Sequence, residues 1–263
     1  MKTAIGILGL LLGGTSPSYE QQTAVISSPS GVDGSCAVAN VGEALHSPIV
    51  LHNIATCHYL GEGLPQNLEL ARTLYSRAAE QGFEKSFCAL GNMYIAGQGG
   101  PRDIDQGLDL CRRAAEAGDA DAQTDLAGYL LQGKVTGKDA VAARRWLLRA
   151  AEQGHPNAAM LLGKMLWNGD GVTKDNAEAA RWWRVADKGG RTDAALLLGN
   201  EAFVRLTRGV KSPEDADPAI IEEAISWYER AANIDPVPEN RARAQKQAAS
   251  LSEFLQRLQQ HHQ

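Results

Sequence analysis

The sequence predicts an all-α protein, a right-handed α/α solenoid of about five helical hairpins of 36 residues each. Three observations predict it. The stretch Ala158 to Gly190, AAMLLGKMLWNGDGVTKDNAEAARWWRVADKGG, reads as two helices folded back on each other. Leu162, Gly163 and Leu166 share one face of the first helix, and Ala179, Trp182 and Ala186 share one face of the second. A shift of 36 residues then returns the same pattern: Gly91, Ala127, Gly163 and Gly199 form one column, and Leu90, Leu126, Leu162 and Leu198 another. Gly82, Gly118, Gly154 and Gly190 form a third, and Asn67, Asp103, Asp139 and Asp175 a fourth. Finally, the glycines fall where helices stop and the Asn and Asp residues where they start. A fixed period built from one helical hairpin stacks each copy on its neighbours.

Taken in order, residues 1–18 read as a signal peptide. Lys2 supplies the positive start, Ala4 to Leu12 the apolar core, and Ser16-Pro17-Ser18 a small-residue cleavage site before Tyr19. Cys36 follows Asp33-Gly34-Ser35, far from that core, so no lipobox is present. Residues 19–35, rich in Ser, Gly and Pro, form a flexible leader. Cys36 to Leu45 match the second half of a repeat and predict an N-terminal half-repeat cap for the solenoid of residues 36–259. The repeats run about 48–82, 83–118, 119–154, 155–190 and 191–235. In the fifth, Gly199 to Ala231 spans 32 residues where Gly163 to Ala186 spans 23. The extra residues fall in Arg205–Pro218, RLTRGVKSPEDADP, which ends in a helix start with Asp217 as cap and Pro218 in the first turn. A polar capping helix over 238–259, with Leu251, Phe254, Leu255 and Leu258 on one stripe, closes the C-terminal end.

The 263 residues are 44% hydrophobic and 22% charged, the balance of a packed protein. A net charge of −5 argues against nucleic acid, which a basic stripe would attract. No apolar run is long enough for a membrane span. The chain is expected in the periplasm or secreted, and monomeric when alone.

The columns A-x-x-x-L-G-x-x-[YL]-x-x-G-x-G, D-x-x-x-A-x-x-W and A-A-x-x-G resemble Sel1-like repeats over about residues 47–235. SFCALGNMYIAGQG with AAEAG, and AAMLLGKMLWNGDGV with ARWW, carry the likeness best. The last hairpin, with Tyr228, Ala231 and Asp235-Pro236, is closer to a tetratricopeptide hairpin. The resemblance implies an adaptor that holds another protein in a concave groove. Exported bacterial relatives act in envelope assembly, regulation, host contact or toxin immunity. Some cysteine-rich relatives are described as binding or hydrolysing β-lactams, which makes such an enzyme the alternative.

The residues give that alternative little. No lysine has a serine three residues before it, and S-D-N, K-T-G, G-x-S-x-G and H-E-x-x-H are all absent. No catalytic or cofactor-binding set is expected. His46, His52, Cys57 and His58 are the one cluster of metal-ligand types, but His52 and His58 point about 120° apart on a helix, so no metal is expected.

Four cysteines allow three connectivities, beside the alternative of four buried free thiols. Residues equidistant from a hairpin turn face each other, which favours Cys36–Cys57 and Cys88–Cys111. The Arg-Trp clusters Arg144-Arg145-Trp146 and Arg181-Trp182-Trp183-Arg184 read as a Trp core column with a solvated Arg rim. Polar residues outside the repeat columns, Asn92, Tyr129, Lys164, Asn168 and Asn200, are the expected protein-binding face, joined by Lys211 and Glu214 of the insert.

Overall fold

The computed structural model describes residues 47–208, 210 and 212–261. They form eleven α-helices and one short 3-10 turn, with no strand among the described residues. The expected signal peptide, leader and half-repeat cap (1–18, 19–35 and 36–45), Cys36, His46 and Lys211 lie outside the described residues. The chain divides into two compact units between the two helices of the fourth repeat, at residues 175 and 176.

The first unit holds three and a half hairpins: α1 (Pro48–Leu60), α2 (Leu68–Glu80), α3 (Glu84–Ala96), α4 (Ile104–Glu116), α5 (Ala120–Gln132), α6 (Ala140–Glu152) and α7 (Pro156–Asn168). The second holds α8 (Asn176–Lys188), α9 (Ala194–Thr207), the 3-10 turn Pro213–Asp215, α10 (Pro218–Ile234) and α11 (Pro238–His261).

Local chemistry explains the helix limits. The side chains of Asn67, Asp103 and Asp139 accept the backbone N–H groups of Leu70, Gln106 and Ala142, occupying donors that a helix start leaves without partners. Asp217 does the same for Ala219, with Pro218 in the first turn. Between hairpins, Gly82, Gly118, Gly154 and Gly190 all adopt positive φ, from 83° to 103°, a region any side chain would strain.

The repeat columns are the core. Ala78, Ala114, Ala150, Ala186 and Ala231 are all wholly buried, so each second helix presents a small side chain to the core at the same place. Beside them runs a column of larger buried residues: Tyr75, Cys111, Leu147, Trp183 and Tyr228. Trp183, not Trp182, is therefore the core residue of α8, and Trp182 is only partly buried. The reason is angular: from Ala179, a step of four residues returns to within about 40° of the same face, while a step of three falls about 60° away. Gly91 and Gly107 let α3 and α4 approach until a Cβ on either would meet the other's carbonyl oxygen at 2.6 Å.

The insert of the fifth repeat is partly absorbed by longer helices: α9 has 14 residues and α10 has 17, against 13 in each helix of the first unit. Its remainder is tied down by Ala216, which is buried in the core of the second unit with Phe203, Leu206 and Ile221. In α11, Ala244, Ala248, Leu251 and Leu258 join that same core. The opposite side, including Arg243, Lys246, Glu253 and Arg257, is exposed and polar, the arrangement that ends a stack.

Candidate protein-binding face

Within residues 47–175, side-chain hydrogen bonds tie each first helix of a hairpin to the next one along. His52 Nδ1 of α1 lies 2.9 Å from Ser86 Oγ of α3. Asn92 of α3 donates from Nδ2 to Asp125 Oδ2 of α5 at 2.7 Å and accepts at Oδ1 from Tyr129 Oη, also at 2.7 Å. His155, the cap of α7, accepts from Ala158 N–H at Nδ1, which leaves Nε2 to donate to Asp121 Oδ1 at 2.9 Å. Thr124 Oγ1 lies 3.0 Å from the same Nδ1. These contacts join residues 31 to 37 apart, so they stitch neighbouring repeats rather than neighbouring turns.

One column of the first helices also serves the interior. Thr56, Asn92 and Asn200 stand at multiples of 36 residues, and each meets a phenol or a sulfur inside the fold. Thr56 Oγ1 lies 2.8 Å from Tyr75 Oη, and Asn200 Oδ1 accepts from Tyr228 Oη at 3.0 Å. In the second repeat Cys111 stands where those tyrosines stand, bridged to Cys88, and its Sγ lies 3.4 Å from Asn92 Oδ1. The column therefore satisfies polar atoms of the buried second-helix column, which would otherwise lose their water without replacement. Burial pushes the Tyr75 phenol up to about 12. Burial also raises Tyr228, and burial with the Asp125 charge raises Tyr129.

Of the residues expected on a binding face, Asn92 is buried, and the polar atoms of Asn92, Tyr129 and Asn200 engage partners inside the fold. Lys164 and Asn168 lie on α7, the first partly exposed and the second exposed, with Asn168 Nδ2 donating to Asp170. Asn200 on α9 and Glu214 in the 3-10 turn belong to the second unit, where Arg184 and Arg205 both reach Glu223. Glu201, which stands in the packing column of Cys57, Met93 and Met165, is a buried carboxyl there, raised by burial against the opposing pull of Arg205. The pattern missed the stripe Asp121, Asp125, Gly128 and Gln132 of α5, four residues at steps of four, three and four that are exposed or partly exposed.

Cys88 and Cys111 form a disulfide across the second hairpin. Cys57 is also disulfide-bonded, and its expected partner Cys36 lies outside the described residues. His52 and His58 point apart: His52 sits between the rings of Tyr75 and Phe83, and His58 Nδ1 meets the Pro65 carbonyl. Ser86 and His52 make a hydroxyl–imidazole pair of nucleophile–base type, yet Ser86 is 0% exposed, so no substrate reaches its oxygen.

His52 yields a pH prediction. Burial, reinforced by the Lys85 charge, lowers its pKa from 6.5 to about 4. The unfolded chain therefore takes up a proton near pH 6.5 that the folded chain refuses, and stability falls as pH drops from 6.5 towards 4. The loss attributable to His52 should reach about 2 kcal/mol at pH 5 relative to pH 7.5. Urea unfolding of the parent and of His52→Gln at both pH values reads it as the difference between their pH slopes. Identical slopes would contradict the assignment.

The Sel1 repeat profile matches residues 48–83, 88–119, 120–155, 156–186 and 193–235. None of the curated proteins matches the chain. Among solved structures, a Sel1 repeat protein from Oxalobacter formigenes is 25% identical, aligns over 82% of this chain and 90% of its own, and gives a TM-score of 0.62. A protective antigen present in uropathogenic Escherichia coli strains, with an SLR fold, is also 25% identical. It aligns over 77% of this chain and 46% of its own, with a TM-score of 0.57, so this chain spans less than half of its length. Sel1 repeats generally mediate protein interactions, and proteins built from them are generally non-enzymatic. No helix among the described residues is long and apolar enough to cross a membrane. With five matched repeats covering more than half of its length, and those repeats folded as the expected helical hairpins, the chain belongs to the Sel1 repeat family.

Proposed function

We propose that the chain is an exported scaffold that binds one protein partner on the face formed by α1, α3, α5 and α7. The observation that carries this reading is the set of bonds linking those helices. His52–Ser86, Asn92–Asp125, Asn92–Tyr129 and Asp121–His155 hold those four helices in place beneath their exposed side chains before any partner arrives, and a preorganised face loses less entropy on binding. Lys164, Asn168 and the α5 stripe supply the reachable groups of that face. Export is supported by the Cys88–Cys111 bridge, a bond that persists in oxidising compartments. It is also supported by likeness to a protein described as a protective antigen.

Chemical cross-linking in cells followed by purification of the tagged chain tests the reading. Lys164→Glu with Asn168→Ala should cut the cross-linked partner about tenfold or more, the scale of one good interface contact. Arg145→Ala with Arg181→Ala, on exposed positions of the second helices, should leave it unchanged. The reverse pattern would place the interface on the second helices and end the proposal.

A further inference from the structure

The repeat serves as its own control for surface charge on the second helices. Steps of 36 residues put Glu69, Asp105 and Val141 in one column of α2, α4 and α6, and Thr73, Asp109 and Arg145 in the next. A third column, Arg77, Arg113 and Arg149, is basic in all three helices. So α2 and α4 set carboxylates beside their arginines, and in α4 Asp109 reaches Arg112. In α6 those carboxylates give way to a valine and a second arginine, and Glu152 remains only at the far end.

Val141, Arg145, Leu148 and Arg149 share one face of α6, and Lys134 and Lys138 lie in the loop that leads into it. The four cations are exposed, and Leu148 is partly exposed. Val141 is 61% exposed, more than any other large apolar residue among the described residues. Among the described residues, no ion pair includes Lys134, Lys138, Arg145 or Arg149, whereas Arg112, Arg184, Arg205, Arg230 and Arg257 each meet a carboxylate. Asp139, between loop and helix, is spent on the Ala142 N–H as the helix cap. The Arg149 guanidinium lies over the ring of Trp146, which is partly exposed on the flank of the stripe. In a chain of net charge −5, this stretch is a local surplus of cations with an apolar side chain held in water among them.

We propose that this face of α6, with the loop before it, docks on an anionic lipid surface, its cations on the headgroup phosphates and Val141 in the layer beneath. A bilayer offers both counterparts at once, phosphates outermost and the hydrocarbon boundary just below them. The lysine and arginine stems bring methylenes to the same boundary while their heads stay with the phosphates. Trp146 adds an amphipathic ring of the kind that settles at a membrane–water interface. The lipid face lies on a second helix and the protein-binding face on the first helices. The test below contains no protein partner, so either inference can fail without the other.

The full disulfide-bonded chain, purified from cells, is sedimented with vesicles of phosphatidylcholine alone and of phosphatidylcholine mixed with phosphatidylglycerol. The parent should sediment with the mixed vesicles only, and salt at about 0.5 M should release it. Lys138→Gln with Arg145→Gln should lower its partition about tenfold or more, at about fivefold for each cation near the surface. Val141→Asp should weaken it by about fivefold or more, because a carboxylate then faces the phosphates. Arg243→Gln with Lys246→Gln on α11 removes the same charge elsewhere and should bind like the parent. All the substituted positions are exposed, so each variant should unfold at the urea concentration of the parent. Equal loss in the two double variants would reduce the effect to net charge and overturn the proposal. So would parental binding by Val141→Asp, or no sedimentation of the parent with the mixed vesicles. Immobilised polyglutamate that retains the parent but not Lys138→Gln with Arg145→Gln, where vesicles retain neither, would make the occupant an acidic polypeptide and overturn the lipid surface.

Discussion

Tyr228→Ala will lower the unfolding free energy of the second unit by about 4 kcal/mol, the usual range for removing a buried aromatic side chain. The ring is 1% exposed and packs against Gly199, where even a single added methyl would collide with it. Its hydroxyl is accepted by Asn200 Oδ1, so truncation also leaves that amide oxygen without its internal donor. Tyr228→Phe isolates the second part and should cost about 1 kcal/mol. Asn200→Ala should cost a similar amount, and the double variant Asn200→Ala/Tyr228→Phe should cost less than the two singles added together. Urea unfolding followed by tryptophan fluorescence measures all of these, since Trp182, Trp183 and Trp227 lie in the same unit. A Tyr228→Ala cost below about 1 kcal/mol would mean that this column does not hold the hairpin together.

The second large effect concerns the disulfide. Cys88 and Cys111 close a loop with a sequence separation of 23, for which loop entropy predicts about 3 kcal/mol of stabilisation. Both residues are buried, and Gly91 and Gly107 already bring α3 and α4 into close contact beside them. The bridge therefore fixes a contact that packing also favours, and it acts mainly by restricting the unfolded chain. Cys88→Ala/Cys111→Ala should fold with the same helix content by circular dichroism but with its urea midpoint clearly lowered. Reduction of the parent by dithiothreitol should shift the midpoint in the same direction. An unchanged midpoint in both cases would remove the bridge from the account, and with it the structural support for an oxidising compartment.

Much of the fold is legible in the sequence because its determinants are local or strictly periodic. Asn67, Asp103 and Asp139 cap the helices that follow them through contacts three residues away. The alanine column from Ala78 to Ala150 and its continuation at Ala186 and Ala231 mark wholly buried positions of the second helices. Trp182 and Trp183 show how narrow the margin is: adjacent tryptophans differ by about 100° around the helix, and the step of three from Ala179 puts Trp182 about 60° off the buried face, against about 40° for Trp183.

The setting of the residues expected on a binding face was less legible, for a physical reason. Asn92, Tyr129 and Asn200 look like surface residues in a one-dimensional pattern, because their hydrogen-bond partners lie 28 to 37 residues away. A polar residue at a partly apolar position reads the same whether it meets water, a partner protein or a phenol from a neighbouring helix.

Amide hydrogen exchange on the full chain, with and without its cross-linked partner, tests the central claim most directly. If the first-helix face is the binding surface, slowed exchange on binding will concentrate in residues 84–96, 120–132 and 156–168. The second helices of the same hairpins, residues 104–116 and 140–152, will remain as they are in the free chain. Protection confined to 104–116 and 140–152, with 120–132 unchanged, would contradict it.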